Sequence, residues 1–455
     1  MAALDDKDLR RYLEEALGRE NAEVAFSSFS HEPSVSVRLN PFKKGASFEC
    51  GTKPVDWNPF GLMLSSRPSF TLDPFFHAGT YYVQDSSAMF VGEVFRKVLP
   101  LSGHGKVIRV LDLCAAPGGK TTDMAASLRQ VFGNDFLLVA NEVIKARASV
   151  LADNVTLWGD PNVVVTSADP KAFSAFPGFF DIILADVPCS GEGMFRKDHD
   201  ALDEWSADTV SLCVARQRRI LADVWPSLSD EGLLIYSTCT FNRYENDGNV
   251  SWMSENLGAE PISRKFFGDI LPSVLRTEYG FCLVPGIVEG EGQYCSAVRK
   301  SCEGGVTAGY GTKAAKPHEG SSKIGKYFNA DVSLLKKGEL LIAVPDAIAP
   351  FIDVVAQLHP LLSGVAVGTE KGNILVPSEA LALTYIADGE AFHSEEVDRN
   401  AALAFLHRDT IVLPQAPKGF IRVCYGGLPL GFVKNLGNRC NNLHPQERRI
   451  RMNIK

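Results

Sequence analysis

Two cysteines stand where the sequence predicts the ends of β-strands. Cys189 comes three residues after the β-rich run FDIILAD, and Cys239 directly follows GLLIYST. The ends of parallel strands can be neighbours in a doubly wound sheet, so both thiols are expected to face one cleft. Methylation of a pyrimidine at C5 requires a thiolate, because its addition at C6 converts C5 into an enamine-like nucleophile. The pair is therefore a candidate for covalent catalysis, with inert packing as the alternative for either cysteine alone.

An acidic residue near these thiols fits the same chemistry. Asp186 ends the run before Cys189, where its carboxylate can hold the N3/N4 edge of a cytosine. Methyl transfer to an exocyclic amine needs no thiol. In enzymes that catalyse such transfer, the target-binding loop typically reads (Asp/Asn)-Pro-Pro-(Tyr/Phe), and Cys189 occupies the position of the aromatic residue. Because a free cysteine is only about a few per cent thiolate at pH 7, a nearby cation or helix N-terminus is expected to assist it.

A loop of small residues follows an earlier predicted strand and leads into a predicted helix, on which Met124, Leu128 and Val131 fall on one face. A P-loop is excluded because Cys114 occupies the position of its first glycine, and the dinucleotide fingerprint GxGxxG is absent. A site for S-adenosylmethionine (SAM) is the best remaining class, with a loop that merely turns the chain as the alternative. The loop comprises Cys114, Ala115, Ala116, Pro117, Gly118, Gly119 and Lys120.

Carboxylates follow three successive predicted strands. Glu142 ends FLLVANE, Asp169 ends NVVVTSAD and Asp186 ends FDIILAD. Ligands of doubly wound sheets bind at this edge, where Glu142 can accept the ribose hydroxyls of a nucleoside. A single Asp after a strand is usually a helix cap, but three in order favour a ligand site.

The elements that must position these residues alternate along the chain from about residue 105 to 240. β-rich runs recur with amphipathic helical segments between most of them, which predicts βαβ units and a doubly wound parallel sheet of the α/β class. Before this region, a helix (8–17) and a strand (34–40) predict a small α+β module. After it, we predict a helix at 347–358 and strands at 372–376, 409–414 (DTIVLP) and 420–435.

Composition and charge narrow the class of protein. The chain has 455 residues, 45% hydrophobic and 22% charged, typical of a folded protein of two to four domains. No apolar run reaches the roughly 18 residues of a membrane span and the N-terminus alternates charges, so a cytoplasmic protein is expected. Ten cysteines without CxxC or zinc spacing argue against a disulfide framework and a metal site. The net charge of -8 argues against a nonspecific nucleic-acid binder, although residues 431–455 carry +5.

Three motifs, in order, resemble those of the RNA cytosine-C5 methyltransferases related to the Nop2/Sun proteins. They are DLCAAPGGK (112–120), DVPCSGEG (186–193) and YSTCTFNRYEND (236–247). VRLNP (37–41) and GTYYVQDSSAM (79–89) also resemble elements of that family. GEGMFRKD (191–198) and the ending GFVKNLGNRCNNLHPQERRIRM are most similar to the bacterial small-subunit ribosomal RNA methyltransferase F group.

The resemblance implies a role for each candidate residue. Cys239 would attack C6, and Cys189 would assist loss of the C5 proton and release of the enzyme thiol. Residues 114–120 would line the methionine and adenosine portions of SAM, Glu142 would bind the ribose and Asp169 the adenine. Asp186 would lie near both the cofactor and the target base.

The resemblance also implies a Rossmann-like class I methyltransferase core between accessory modules. We predict an RNA-recognition-like α+β module at 1–75, the SAM-dependent methyltransferase domain at 76–302, a linker at 303–323, an intermediate domain at 324–390 and a PUA-like RNA-binding domain at 391–455.

The expected partner is RNA, either 16S ribosomal RNA or the small ribosomal subunit. The expected product is 5-methylcytidine, and the enzyme is expected to be a monomer. Candidate phosphate contacts are Lys197, Arg448, Arg449 and Arg451. A solvated loop remains the alternative for Lys197, and a disordered tail for the arginines. Transfer RNA is the alternative substrate, and a noncatalytic ribosome-assembly factor is the alternative from another class.

Overall fold

The computed structural model of the protein describes residues 7–103, 105–268, 273–301, 324–372 and 374–454. The predicted linker at 303–323 lies outside the described residues. The other domain boundaries remain predictions.

Three helices and a four-stranded antiparallel sheet form the N-terminal part. The sheet order is β2-β3-β1-β4. The apolar face of α1 buries Leu9 and Leu13 in a cluster with Phe195 and Trp205 from later in the chain. The helices therefore pack beside the segment that follows Cys189. The elements are α1 (Lys7–Leu17), α2 (Arg19–Ser28), β1 (Val35–Leu39), β2 (Thr52–Val55), β3 (Asn58–Leu64), α3 (Pro74–His77) and β4 (Tyr81–Val83).

The centre of the molecule is a doubly wound sheet, as predicted. Its parallel strands run in the order β9-β8-β5-β6-β7, and β13, β12 and β11 extend it antiparallel beyond β9. The elements are α4 (Ser86–Val98), β5 (Ile108–Asp112), α5 (Gly119–Phe132), β6 (Phe136–Asn141), α6 (Lys145–Trp158), β7 (Val163–Thr166), β8 (Phe180–Asp186), α7 (His199–Glu204), α8 (Ala207–Val224), β9 (Leu228–Thr238), α9 (Asp247–Leu257), β10 (Ala259–Pro261), β11 (Leu275–Arg276), β12 (Gly280–Leu283) and β13 (Gln293–Lys300).

Both faces of this sheet are buried, which explains why its strands are almost continuously apolar. Val110 and Ile182 belong to one hydrophobic cluster, while their neighbours Leu111 and Ile183 belong to the other. Met124 and Leu128 of α5 are buried as predicted. Val131 is not, with 63% of its surface exposed, because it lies in the last turn of the helix, next to the terminating Gly133.

Two small four-stranded sheets form the C-terminal part. The first has the order β14-β15-β17-β18 and the second β19-β20-β21-β22, while β16 pairs antiparallel with β7 of the central sheet. The elements are β14 (Val332–Lys337), β15 (Leu340–Pro345), α10 (Ala349–Val355), β16 (Leu362–Ser363), β17 (Val365–Lys371), β18 (Ile374–Pro377), α11 (Glu379–Leu383), β19 (His393–Glu396), α12 (Arg399–His407), β20 (Gly419–Tyr425), β21 (Leu428–Asn435) and β22 (Cys440–Asn442).

The predicted strand at 409–414 is wrong. Ile411 and Leu413 are buried and Val412 is exposed, so the alternation of burial is that of a strand, but the segment forms no ladder. Pro414, which has no backbone N–H, ends it. Among the described residues, none of the helices has the length and apolar character needed to cross a membrane.

Candidate active site

Cys189 and Cys239 lie beyond the carboxyl ends of neighbouring parallel strands. Asp186, the last residue of β8, pairs in register with Ser237 of β9. The chain continues from these strands as the Cys189 loop (residues 187–193) and the Cys239 loop (residues 239–246). The two Sγ atoms are 3.0 Å apart, and both residues are free thiols. The structure therefore brings the predicted pair into direct contact.

A close backbone approach joins the two loops. The Gly193 N–H donates to the Cys239 carbonyl oxygen at 2.9 Å. A Cβ atom at position 193 would lie 2.5 Å from the Gly292 Cα and 2.8 Å from that carbonyl. Only glycine fits there, so this contact fixes the distance between the Cys189 loop and the Cys239 backbone.

The two thiols are hydrogen-bonded to each other. The hydrogen bond to Cys239, together with burial, raises the pKa of Cys189 well above its ordinary value. Cys189 therefore keeps its proton near neutral pH.

A partly buried ion pair adjoins the thiols. Lys120 Nζ, in the first turn of α5, donates to Asp186 Oδ2 at 2.8 Å. Burial alone would lower the pKa of Lys120, but the charges of Asp186 and Cys239 raise it above the ordinary value. Lys120 is thus the cation that a reactive thiolate needs nearby, a role that the sequence left unassigned.

The predicted cofactor loop lies between β5 and α5. Gly118 has φ +113°, and a Cβ there would lie 3.1 Å from Leu151 Cδ1, so the turn into the helix favours glycine. Asn154 Nδ2 donates to the Pro117 carbonyl oxygen at 2.8 Å. The loop is therefore held against α6, with the first N–H groups of α5 at its end.

Buried carboxyls surround Cys114 at the start of this loop. Burial and the charges of Asp186, Asp112 and Glu142 raise the pKa of Cys114, so it remains a neutral thiol. Burial raises the pKa of Asp112 to about 7. Its Oδ2 accepts from Thr121 Oγ1 at 2.6 Å, while Oδ1 is buried with no partner among the described residues.

The other two predicted carboxylates differ in their surroundings. Glu142 is buried, and its Oε2 lies 3.3 Å from Arg147 Nη1. Arg147 also donates to the Ala116 carbonyl oxygen at 3.0 Å, so it bridges Glu142 and the cofactor loop. Asp169, three residues beyond β7, is half-exposed and accepts the Lys171 N–H at 3.0 Å, which is the helix-cap geometry. The structure places Glu142 beside the loop, and Asp169 farther along the same edge.

Sequence reasoning missed two buried carboxyl groups between the thiol loops. Glu192 and Glu245 are both fully buried, and each contacts the loop to which it does not belong. Their positions three and six residues after a cysteine, within quoted motifs, were the available signal.

The candidate phosphate contacts do not all present free charge. Lys197 Nζ lies 2.9 Å from Asp85 Oδ2, and Arg448 Nη1 lies 2.5 Å from the buried Glu379 Oε2. The charges of these two residues are already paired within the protein, and their contact with RNA stays a prediction. Arg449 and Arg451 are exposed, and their contact with RNA stays a prediction.

Three family models match the sequence. Residues 101–297 match 16S rRNA methyltransferase RsmB/F, residues 7–86 match the N-terminal domain of 16S rRNA methyltransferase RsmF, and residues 392–450 match the RsmF PUA domain. Ribosomal RNA small subunit methyltransferase F of Shewanella oneidensis is 32% identical over 446 residues, which cover 90% of each chain.

Solved structures share the fold. A methyltransferase homologue from Pyrococcus horikoshii has a TM-score of 0.52 and 26% identity, covering 66% of this chain and 97% of that one. NSun6 from Pyrococcus horikoshii, solved with SFG, has a TM-score of 0.53 and 19% identity, covering 65% of this chain and 98% of that one. The predicted α/β methyltransferase fold with a PUA-like domain family at the C-terminus is confirmed.

Proposed function

The chain belongs to the RsmB/F family of 16S rRNA methyltransferases, and we propose that it transfers a methyl group from SAM to C5 of a cytidine in 16S ribosomal RNA. The observation that carries the proposal is the 3.0 Å separation of the Cys189 and Cys239 sulfurs at two strand ends. Methylation at C5 needs one group to add at C6 and another to assist removal of the C5 proton, and two adjacent thiols supply both.

Cys239 is the nucleophile in this proposal. Its thiolate adds to C6 of the cytosine, and the ring electrons become available at C5. The Lys120 ammonium favours the thiolate, since the charge of Cys239 already contributes to raising the Lys120 pKa. Asp186 is paired with Lys120 and lies at the end of β8. From there its carboxylate holds the N3/N4 edge of the base.

Cys189 assists release. It retains its proton because its hydrogen bond to Cys239, then burial, and then the charge of Cys239 raise the Cys189 pKa. Bonding of Cys239 to C6 consumes the charge, so the Cys189 pKa falls in the adduct. Its proton then passes to solvent, and its thiolate accepts the C5 proton. The C6–S bond breaks with return of the electron pair to Cys239, which restores the aromatic ring.

The residues around the loop fit the cofactor. When bound, SAM supplies an electrophilic methyl group on a cationic sulfur. Residues 114–120 would hold its methionine and adenosine portions, and Oδ1 of Asp112 is a buried acceptor without a partner among the described residues. Glu142, which is paired with the half-exposed Arg147, would hold the ribose hydroxyls. Asp169 would hold the exocyclic amine of adenine; its Oδ1 caps Lys171 and its Oδ2 lies 3.8 Å from Arg219 Nη1.

Cysteine variants test the mechanism. Cys239→Ala should abolish methyl transfer from labelled SAM to RNA while leaving S-adenosylhomocysteine binding nearly unchanged. Cys189→Ala should instead accumulate a covalent protein–RNA adduct on denaturing gels. Cys50→Ala, in a loop of the N-terminal part, is the matched control and should behave as wild type. Full transfer by Cys239→Ala, or normal turnover by Cys189→Ala, would contradict the respective assignment.

The substrate is tested separately. Bisulfite sequencing of ribosomal and transfer RNA from a deletion strain should lose a 5-methylcytidine signal in 16S RNA alone. Loss of the 5-methylcytidine signal in transfer RNA alone would identify transfer RNA as the substrate instead of 16S RNA. No loss of any cytosine signal, together with RNA binding by the protein, would favour the noncatalytic assembly factor, although the complete set of reactive residues argues against it.

A further inference from the structure

Glu192 and Glu245 connect the two thiol loops in opposite directions. Glu192 belongs to the Cys189 loop, and its Oε2 accepts the backbone N–H groups of Phe241 at 2.8 Å and Asn242 at 2.9 Å in the Cys239 loop. Glu245 belongs to the Cys239 loop, and its Oε2 accepts the backbone N–H of Ser190 at 3.1 Å. Each carboxyl group thus holds the backbone beside the other loop's cysteine.

We propose that Glu192 and Glu245 form a reciprocal clasp that positions Cys189 and Cys239 relative to each other, with one proton held between the two carboxyl groups. Glu192 and Glu245 are positioning residues in this proposal, since the clasp acts through the backbone of the two thiol loops. It rests on the proposed function only where it concerns release of the methylated base.

The geometry supports a single shared proton. Asn242 Nδ2 lies 2.8 Å from Glu192 Oε1 and 2.7 Å from Glu245 Oε1, so the two oxygens lie within about 5.5 Å of each other. No Lys or Arg in the part of the chain that the structure describes forms an ion pair with either carboxyl. Two unpaired negative charges this close in a dry interior are unfavourable, so one carboxyl holds a proton.

Glu245 is the member that holds it. Burial and then the charge of Glu192 raise the pKa of Glu245 to about 7. The Ser190 hydroxyl contacts Glu245 Oε1 and lies 3.3 Å from Glu192 Oε1. A protonated Glu245 can therefore donate to Ser190, and Ser190 can donate to Glu192.

The other titratable groups around Glu245 are neutral. Cys189, Cys213 of α8 and Tyr236 of β9 all have raised pKa values, in each case with a contribution from the Glu245 charge. The neutral Gln217 side chain also donates to Glu245 Oε2 at 2.6 Å. Glu192 is thus the other carboxyl group that faces Glu245.

The clasp matters for catalysis because both sulfurs must reach one base. Misplacement of a reacting group by about 1 Å costs on the order of a hundredfold in rate. At least two donors contact each Glu192 oxygen, the backbone N–H groups of Phe241 and Asn242 at Oε2 and the side chains of Trp205 and Asn242 at Oε1, so the amide N–H₂ of Glu192→Gln faces at least two donors in either orientation. Glu245→Gln replaces a protonated acid by a neutral group of the same shape, and should disturb the loops less at pH 6.

Two measurements test the clasp without RNA or SAM. The first is the equilibrium of the Cys189–Cys239 disulfide in a glutathione buffer, in which oxidised glutathione takes two electrons from the thiols and becomes two reduced molecules. The equilibrium constant gives the effective concentration of one thiol toward the other. Glu192→Gln should lower this effective concentration on the order of tenfold, the loss expected for one charge-assisted hydrogen bond. Glu291→Gln, a buried carboxyl outside both loops, is the matched control and should leave it unchanged.

The second measurement is the infrared absorption of protonated carboxyl groups at pH 6. Glu245→Gln should remove one such band relative to wild type. Unchanged thiol coupling in folded Glu192→Gln overturns the clasp, and an unchanged band in Glu245→Gln overturns the shared proton. If Glu192→Gln does not fold, Asn242→Ala removes the donor common to both carboxyl groups and should also weaken the thiol coupling.

Release is tested with RNA present. Glu192→Gln should raise the fraction of protein trapped as RNA adduct relative to turnover, as Cys189→Ala does, whereas a merely destabilised enzyme would lose both in proportion. Absence of adduct in Cys189→Ala would refute the proposed function. It would not affect the conclusion about the clasp that is drawn from the disulfide equilibrium. Adduct in Cys189→Ala with an unchanged ratio in folded Glu192→Gln would refute the clasp's part in release.

Discussion

Replacing the buried Arg38 with methionine should loosen the attachment of the N-terminal sheet to the cofactor loop. Arg38 lies on β1 and is completely buried. Its Nε donates to Gln84 Oε1 at 2.8 Å, and its Nη2 donates to the Gly119 carbonyl oxygen at 3.0 Å and to Thr122 Oγ1 at 2.5 Å. Gly119 and Thr122 lie in the first turn of α5, where the cofactor loop joins the helix.

The size of the effect follows from these contacts. Methionine fills a similar volume but leaves Gln84 Oε1 and the Gly119 carbonyl without this donor, at about 1–3 kcal/mol for each unsatisfied buried group. The stacking of the guanidinium over Trp158, 4.6 Å from the ring centroid, is also lost, worth about 2 kcal/mol when desolvated. Part of this loss of stability is offset. Burial lowers the Arg38 pKa because the buried charge is desolvated, and the apolar methionine side chain does not have this desolvation cost.

The net loss should be about 3 kcal/mol in the free energy of unfolding, or roughly a hundredfold in the equilibrium constant. Asp123 keeps its contacts with Arg96 and Asn58, so the substitution leaves no isolated buried charge. Urea denaturation gives the stability, and titration calorimetry with S-adenosylhomocysteine gives the affinity, which should also fall because the start of α5 is less firmly held.

The matched control is Arg67→Met, on an exposed residue of the same part of the chain. Its stability should stay within about 0.5 kcal/mol of wild type. If Arg38→Met matched this control in both stability and cofactor affinity, the inferred coupling between the N-terminal sheet and the cofactor loop would be wrong.

Three further predictions concern charge. Glu142→Gln should weaken S-adenosylhomocysteine binding about tenfold by calorimetry, the loss of one charge-assisted hydrogen bond; unchanged affinity would exclude its ribose role. The double variant Arg449→Ala/Arg451→Ala should lower RNA affinity and reduce the slope of log affinity against log salt concentration by about one to two units. Arg448→Ala, which breaks a buried ion pair, should instead lower the midpoint of urea denaturation. Burial lowers the pKa of Lys43 to about 7 from 10.5, so the unfolded chain binds more protons between these values and stability rises with pH. From pH 7 to 9 wild type should therefore gain up to about 1.4 kcal/mol per pH unit relative to Lys43→Met, and parallel pH profiles would contradict this.

The sequence was most informative where structure depends on local pattern. The apolar runs that became β5 to β9 are buried on both faces, so their composition alone predicts parallel strands. The order of those strands then brings Cys189 and Cys239 to one edge, because each follows a strand of a doubly wound sheet. The segment 409–414 shows the limit of this reasoning, since alternation predicts burial correctly but cannot supply a partner strand.

The pairing of side chains between loops could not be predicted in the same way. Glu245 and Ser190 are 55 residues apart, and Lys120 and Asp186 are 66 apart. Their contacts depend on the conformations of loops whose residues have no periodicity. Arg448 illustrates the same limit, because a basic cluster in the sequence does not reveal that one member reaches back to the buried Glu379.

The same limit explains why net charge misleads about partners. The formal charge of -8 counts every acidic side chain equally, yet Asp112 and Glu245 are buried with pKa values raised to about 7, so neither carries a full charge at that pH. The positive charges of Arg449 and Arg451 are exposed. A polyanion responds to charge at the surface it approaches, within about a Debye length of 10 Å. An acidic total is therefore compatible with an RNA substrate, because part of the acidity is internal and serves the site.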